Sequence, residues 1–294
     1  MRFGLVGVNT SHAGVFAGLF NGTAGDAGTL PALDGGQVVA IWGEPRADAE
    51  ALATKHGIAS IVDEPTAMIG EIDAVLVVDD TGGGASHAGL ARPFLEAGLP
   101  TFIDKPMTLE IGDAVALFDL AEERGAPLMS SSALRYAAEV IDLQSRLAEI
   151  GPISSIVSVG PGDWYYYGVH AVEMYQTILG GGASAGWVQR HAFDQRDVVV
   201  VGYDHGPSVV VETLRDASYV FHLTVYGANG WTDCDVTDHH AFYRNLMAAA
   251  LEMAQTGRSP VSRAQTLDVL GVLQAGVRSA ETGARVELSE VLPK

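Results

Sequence analysis

The chain contains three lysines, Lys55, Lys105 and Lys294, against 14 arginines. A protein that meets its surface need for cations with arginine has little compositional reason to place a lysine directly after Thr101-Phe102-Ile103-Asp104. An ammonium gives up its proton when partly buried, whereas a guanidinium practically never does. Lys105 is therefore a candidate for acid–base work or for hydrogen bonding to a reacting group, and Pro106 restricts it to extended backbone. The structural alternative is a lysine paired with Asp104 or Glu110. His170 is the second candidate, because an imidazole exchanges protons near neutral pH. It closes the run Asp163-Trp164-Tyr165-Tyr166-Tyr167-Gly168-Val169-His170 at the entrance to a helix. Trp164 and Tyr166 in that run suit stacking on a sugar-like ring, although core packing is the commoner use of such residues.

The elements that must position these groups change character along the chain. Through about residue 130, short apolar runs alternate with helical patterns: Phe3–Val8, Gln37–Trp42, Asp73–Val78, Thr101–Ile103 and Leu128–Ser130 read as strands. Helical patterns follow the first four, and the second and fourth helices stop at Gly57 and Gly125. Strict alternation with short connections argues an α/β domain, a doubly wound parallel sheet with right-handed crossovers. Residues 131–294 read differently. Ile153–Val159, Gly186–Phe193, Asp197–Tyr203, Ser208–Leu214 and Ser218–Tyr226 are strand-like, the last four as an antiparallel meander. Helices are expected at about 137–149, 169–179, 238–256 and 263–282. The reading is thus a Rossmann-like first domain, 1–130, and a second α+β domain, 131–294, with an open, mainly antiparallel sheet. The last helices are candidates to pack back on the first domain, and residues 21–36 are the expected loop insertion.

In a parallel α/β sheet, ligands bind beyond the carboxyl ends of the strands. That rule nominates the loops at Gly7–His12, Gly43–Arg46, Asp79–Ser86 and Asp104–Pro106. The first is where a dinucleotide's pyrophosphate lies on a helix N-terminus. Against the usual G-x-G-x-x-G it reads Gly7-Val8-Asn9-Thr10-Ser11-His12, with only the first glycine kept. Asn9 tolerates the left-handed backbone that the second glycine often supplies. Two readings stay open: a phosphate cradle from Asn9, Thr10 and Ser11, or an N-cap for the first helix. The second loop offers Glu44 to a ribose hydroxyl and Arg46 to a 2′-phosphate, so NAD and NADP are equally admissible. Asp233-Cys234-Asp235-Val236-Thr237-Asp238-His239-His240 has a metal-like composition, but adjacent histidines on a helix point about 100° apart, so no metal site is assigned and Asp238 reads as an N-cap.

Composition sets further bounds. Seventeen Lys+Arg against 36 Asp+Glu give a net charge of −19, which disfavours nucleic acid and anionic membrane surfaces as partners. A single cysteine, Cys234, and an N-terminus too short and polar for a signal peptide lead to the expectation of a cytoplasmic protein. No apolar run approaches the ~20 residues that span a bilayer.

At these residues the sequence resembles the Gfo/Idh/MocA oxidoreductase family. The stretch Leu95-Glu96-Ala97-Gly98-Leu99-Pro100-Thr101-Phe102-Ile103-Asp104-Lys105-Pro106 is similar to the family's EAGKHVFVEKP. Gly168-Val169-His170 resembles its D-x-G-x-H, with Tyr166 at the aspartate position, and Ser132–Tyr136 resembles the segment that supplies an arginine, here Arg135. The resemblance implies an NAD- or NADP-dependent hydride transfer to or from a carbinol of a sugar, cyclitol or related polyol. In that scheme Lys105 positions substrate and nicotinamide, His170 is the general acid/base, and Arg135, Tyr166 and Trp164 contact substrate. Gly7, Asn9, Thr10, Ser11, His12, Glu44, Arg46, Asp79 and Lys105 would line the cofactor, and copies would pair as homodimers or homotetramers through the second sheet. Non-redox chemistry on the same fold, and a non-catalytic ligand-binding regulator, are the competing readings.

Overall fold

The computed structural model describes residues 1–23, 32–181, 183–217 and 219–293. Part of the expected 21–36 loop thus lies outside the described residues; positions 32–36 carry neither helix nor strand. The chain divides into two compact units, one of Met1–Ser131 with Tyr243–Val261, the other of Ser132–Phe242 with Ser262–Lys294.

In the first unit the strands are β1 (Arg2–Val6), β2 (Gln37–Trp42), β3 (Ser60–Ile61), β4 (Ala74–Val77), β5 (Thr101–Ile103) and β6 (Leu128–Ser130). They form one sheet in the order β3-β2-β1-β4-β5-β6, and every pairing is parallel. The helices between them are α1 (Ser11–Asn21), α2 (Arg46–His56), α3 (His87–Glu96) and α4 (Ile111–Arg124). β4, β5 and β6 are buried at every residue, as strands covered on both faces must be. That covering explains why their apolar runs were continuous in the sequence. Stacking of Phe3 on Phe20, 4.5 Å between ring centroids, fastens α1 to β1. The strand order reverses between β1 and β4, the switch point at which such sheets bind ligands.

In the second unit a helix α5 (Ala138–Ile150) leads into β7 (Ile153–Pro161), followed by α6 (Gly168–Leu179). Then come β8 (Trp187–Phe193), β9 (Arg196–Gly202), β10 (Ser208–Leu214), β11 (His222–Gly227) and β12 (Gly230–Asp235). The helix α7 (His239–Thr256) passes from this unit into the first, and α8 (Arg263–Thr282) precedes a short β13 (Val286–Glu287). α8 opens with a capping box between Ser262 and Gln265. The sheet order is β12-β11-β7-β10-β9-β8-β13.

This corrects the expected meander. β8, β9 and β10 are antiparallel neighbours, but β7 lies between β10 and β11, parallel to the first and antiparallel to the second. The seven residues separating β10 from β11 exceed a hairpin loop and allow the chain to step over a strand. β12 was not expected as a strand at all, because Gly230-Trp231-Thr232-Asp233-Cys234-Asp235 is polar and largely exposed. Along β10, Val209, Val211 and Thr213 are buried while Val210 and Glu212 are half-buried, the alternation of a sheet covered on one face. Among the described residues no helix is long and apolar enough to cross a membrane.

Trp164, expected to contact a ligand, is instead a core residue of this unit. It is 1% exposed, and its indole N–H donates to the Leu273 carbonyl at 2.8 Å. A Cβ on Gly276 of α8 would come within 2.4 Å of the indole, so the ring lies directly on bare helix backbone. Trp164→Ala is expected to cost about 3–5 kcal/mol of stability, measured by urea unfolding, as for other large buried aromatics.

Candidate functional site

At the carboxyl edge of the first sheet, β1 gives way to Gly7, whose φ is +109° and whose N–H donates to the Trp42 carbonyl at 2.9 Å. A Cβ there would lie 2.3 Å from the Asp79 amide nitrogen, so only glycine lets the loops after β1 and β4 press together. Among the described residues no non-glycine has positive φ, so Asn9 does not supply a left-handed turn; Gly7 does. Asn9 instead ties the two loops, its Oδ1 accepting from Asp80 N–H at 2.8 Å and its Nδ2 donating to Thr81 Oγ1 at 3.1 Å. Thr10 caps α1, its Oγ1 accepting from the His12 N–H at 3.3 Å, and Ser11 is exposed on the first turn. Asp79 is buried, and its Oδ1 accepts from Thr81 N–H at 3.1 Å and from Ser86 Oγ at 2.6 Å. That carboxylate oxygen shapes its own loop.

His12 and Lys105 meet through Asp104. The buried strand β5 delivers Asp104 and Lys105 to the sheet edge, with the Asp104 N–H held by the Val77 carbonyl at 2.9 Å. The imidazole of His12 turns inward, Nδ1 to Asp104 Oδ2 at 2.5 Å and Nε2 to the Tyr243 hydroxyl at 3.0 Å. Its ring packs on Phe16 and edge-on to Tyr243. Burial opposes charge on Asp104, but the charge and hydrogen bond of His12, and then Lys105, hold its carboxyl down to about 2. Lys105 is 7% exposed; burial pushes its amine below the usual lysine range, while Asp104 and Asp80 pull it back. Sequence reasoning named His12 only for the phosphate loop and did not find Tyr243, 231 residues away on α7.

A pocket of about 660 Å³ opens beside the end of β2, lined by Trp42, Gly43, Glu44, Pro45, Arg46, Val62, Asp63 and Thr81. Glu44 is exposed at its rim, and Arg46 pairs with Glu50 at 3.0 Å and with Asp63. These features suit a dinucleotide: a side-chain-free turn at Gly7 beside the N-terminus of α1, and a pocket for an adenosine at β2. Asp104 Oδ1, buried with no hydrogen-bond partner, adds an acceptor that a bound group can satisfy.

In the second unit His170 stands in the first turn of α6, 7% exposed. Ser132 Oγ, which accepts from Leu134 N–H at 3.1 Å, holds His170 Nδ1 at 2.7 Å. Glu173, one turn further along α6, accepts from Ser132 N–H at 3.2 Å and pairs with Arg135 Nε, all three residues being buried. Arg135 Nη2 is buried without a hydrogen-bond partner. Tyr167 and Phe221 flank the imidazole at 5.7 and 5.5 Å between centroids, and half-buried Tyr166 lies edge-on to Tyr167. A serine hydroxyl thus orients the His170 imidazole. Ser132 and Glu173 were not identified from sequence, although Glu173 falls one helical turn after His170, the i, i+3 spacing that signals a shared face. Among the described residues no group of three or more His, Cys, Asp or Glu side chains is placed to hold a metal ion. Asp238 caps α7, its Oδ1 accepting from the N–H groups of His240 and Ala241.

Comparison with known proteins bears on the fold and on the first unit. Residues 1–132 match the model of an oxidoreductase family with an NAD-binding Rossmann fold. The chain is 25% identical to D-xylose 1-dehydrogenase (NADP(+)) 2 of Haloferax volcanii, across 91% of this chain and 98% of that protein. It is 34% identical to the myo-inositol dehydrogenase Hyg17 of Streptomyces leeuwenhoekii over 40% of this chain and 35% of that one. A probable dehydrogenase from Thermotoga maritima shares the fold with a TM-score of 0.85 at 18% identity, covering 99% of this chain and 100% of the other. Residues 1–132 thus resemble that NAD-binding oxidoreductase family, and the chain as a whole shares the fold of the Thermotoga maritima protein.

Proposed function

We propose that the protein is an NAD- or NADP-dependent dehydrogenase that moves a hydride to or from a carbinol carbon of a sugar, cyclitol or related polyol. The observation that carries this reading is the buried amine of Lys105, held beside ionised Asp104 at the carboxyl edge of a Rossmann sheet. The polyol substrate class follows from the names of the xylose and inositol dehydrogenases that the chain resembles. When bound, the nicotinamide supplies the hydride acceptor or donor. Lys105 donates a hydrogen bond to the carbinol oxygen, which lowers the cost of negative charge there. His170, held at Nδ1 by Ser132, accepts the hydroxyl proton during oxidation and returns it during reduction. Arg135 Nη2 is offered to further substrate hydroxyls. We also infer a cytoplasmic location and pairing of copies through the second sheet, where Tyr226 and Trp231 are cross-strand neighbours at 41% and 63% exposure.

Titration of the purified protein with NADH and NADPH, followed by nicotinamide fluorescence, is expected to show saturable binding of at least one. With the oxidised form of whichever dinucleotide binds, NAD+ or NADP+, D-xylose or myo-inositol is expected to produce reduced nicotinamide. Absence of binding of both dinucleotides at millimolar concentration would overturn the reading.

A further inference from the structure

The position of His12 is hard to reconcile with a phosphate loop alone, since its ring turns away from the exposed Ser11 and into the sheet edge. We propose that His12 is a positioning residue that fixes the Asp104 carboxylate, so that Asp104 in turn holds the Lys105 ammonium for its task. The inference rests on the dehydrogenase reading for what Lys105 does, but not for how its charge is held.

Three observations carry it. First, Asp104 has one oxygen bonded to His12 Nδ1 at 2.5 Å and the other, Oδ1, buried without a hydrogen-bond partner. A carboxylate so enclosed takes up a proton unless a close donor stabilises the anion. Second, His12 is fixed from its far side, its Nε2 bonded to the Tyr243 hydroxyl at 3.0 Å and its ring set against Phe16 and Tyr243. An Nδ1–H so aligned is pre-oriented toward the carboxylate rather than free to rotate. Third, Lys105 is itself enclosed, and the anions that favour its ammonium are Asp104 on its own strand end and Asp80 on the loop after β4. Other titratable groups face this edge from each neighbouring element: His12 from α1, Tyr243 from α7, buried Asp79 from the β4 loop, and His87 from α3, bonded through Nδ1 to the Pro106 carbonyl at 2.9 Å. Of these, His12 bonds to Asp104 through its Nδ1. The imidazole in the place of a fingerprint glycine is thereby given a task.

The scarcity of lysine makes the test direct. In a Lys55→Arg, Lys294→Arg background, Lys105 is the only lysine, and lysine labelled with carbon-13 at Cε reports its titration by NMR. His12→Phe removes the donor while keeping an aromatic ring, and Lys105 is expected to titrate lower by roughly half a pH unit or more, because the Asp104 carboxylate then loses the donor that fixes it beside the ammonium. Asp104→Asn is expected to lower it as well, and His12→Phe added to Asp104→Asn is expected to lower it no further. His12→Asn, whose side-chain amide sits near the Nδ1 position, is expected to restore the parent titration. Should His12→Phe fail to fold, His12→Gln, which keeps length and polarity but withdraws the donor from Asp104, is read in its place. An unchanged or raised Lys105 titration in the variant without the donor, or an additional fall in the double variant, overturns the proposal. The measurement needs no dinucleotide and no substrate. A shift without any dehydrogenase activity refutes the function and leaves this inference standing; activity without the shift does the reverse.

Discussion

Lys105→Met is expected to lower kcat/KM for the polyol by about 10³-fold or more, equivalent to about 4 kcal/mol of transition-state stabilisation. Methionine has a similar length and no charge, so the enclosed site is filled and the fold is not asked to bury an ammonium. Asp104 keeps its bond to His12 in this variant, which separates loss of the amine from loss of its neighbour's geometry. The affinity for NADH, read by fluorescence, is expected to change only a few-fold, because the pocket beside β2 and the Gly7 turn are untouched. Lys105→Arg is not expected to rescue activity, since a guanidinium is larger, planar and permanently charged. A Lys105→Met protein with more than about a tenth of the parental kcat/KM would remove Lys105 from the chemistry.

The second large effect concerns His170. His170→Asn retains a group able to bond to Ser132 Oγ and removes the titrating imidazole, so kcat is expected to fall by about 10²–10⁴-fold with the fold intact. The pH profile distinguishes a catalytic imidazole from a structural one. In the parent, oxidation requires a neutral histidine and should fall on the acid side as the ring is protonated; in His170→Asn that limb should disappear from the residual rate. Persistence of the limb would assign it to another group. Substrate KM is expected to shift much less than kcat, because Arg135 and the aromatic neighbours remain in place.

Legibility in the sequence followed how local each determinant was. β2, β5 and β6 were expected at Gln37–Trp42, Thr101–Ile103 and Leu128–Ser130 and lie at those residues, because uninterrupted apolar runs bounded by turn residues admit few other uses. The order of the second sheet was not readable, since the insertion of β7 between β10 and β11 is a choice of partner, and the strands on both sides carry the same alternation. Strand β12 was hidden by its aspartates. In the site, Lys105 stood out through composition alone, as one of three lysines. Its support did not, because the tie from Asp104 to His12 and on to Tyr243 joins three segments with no common motif. Trp164 shows the opposite limit. Its local run reads the same for a stacking platform and for a core residue, and the deciding contact, bare backbone at Gly276, lies 112 residues away in the chain.

The return of Tyr243–Val261 to the first unit has a consequence for how the protein is made. Translation delivers the Rossmann strands first, yet the stretch that completes their unit leaves the ribosome only after β12 and most of the second unit have emerged. Domains that fold in order of synthesis normally finish the first before the second begins. Here the nascent first unit must wait, with the acid at Asp104 and the imidazole at His12 lacking their tyrosine, until α7 has emerged.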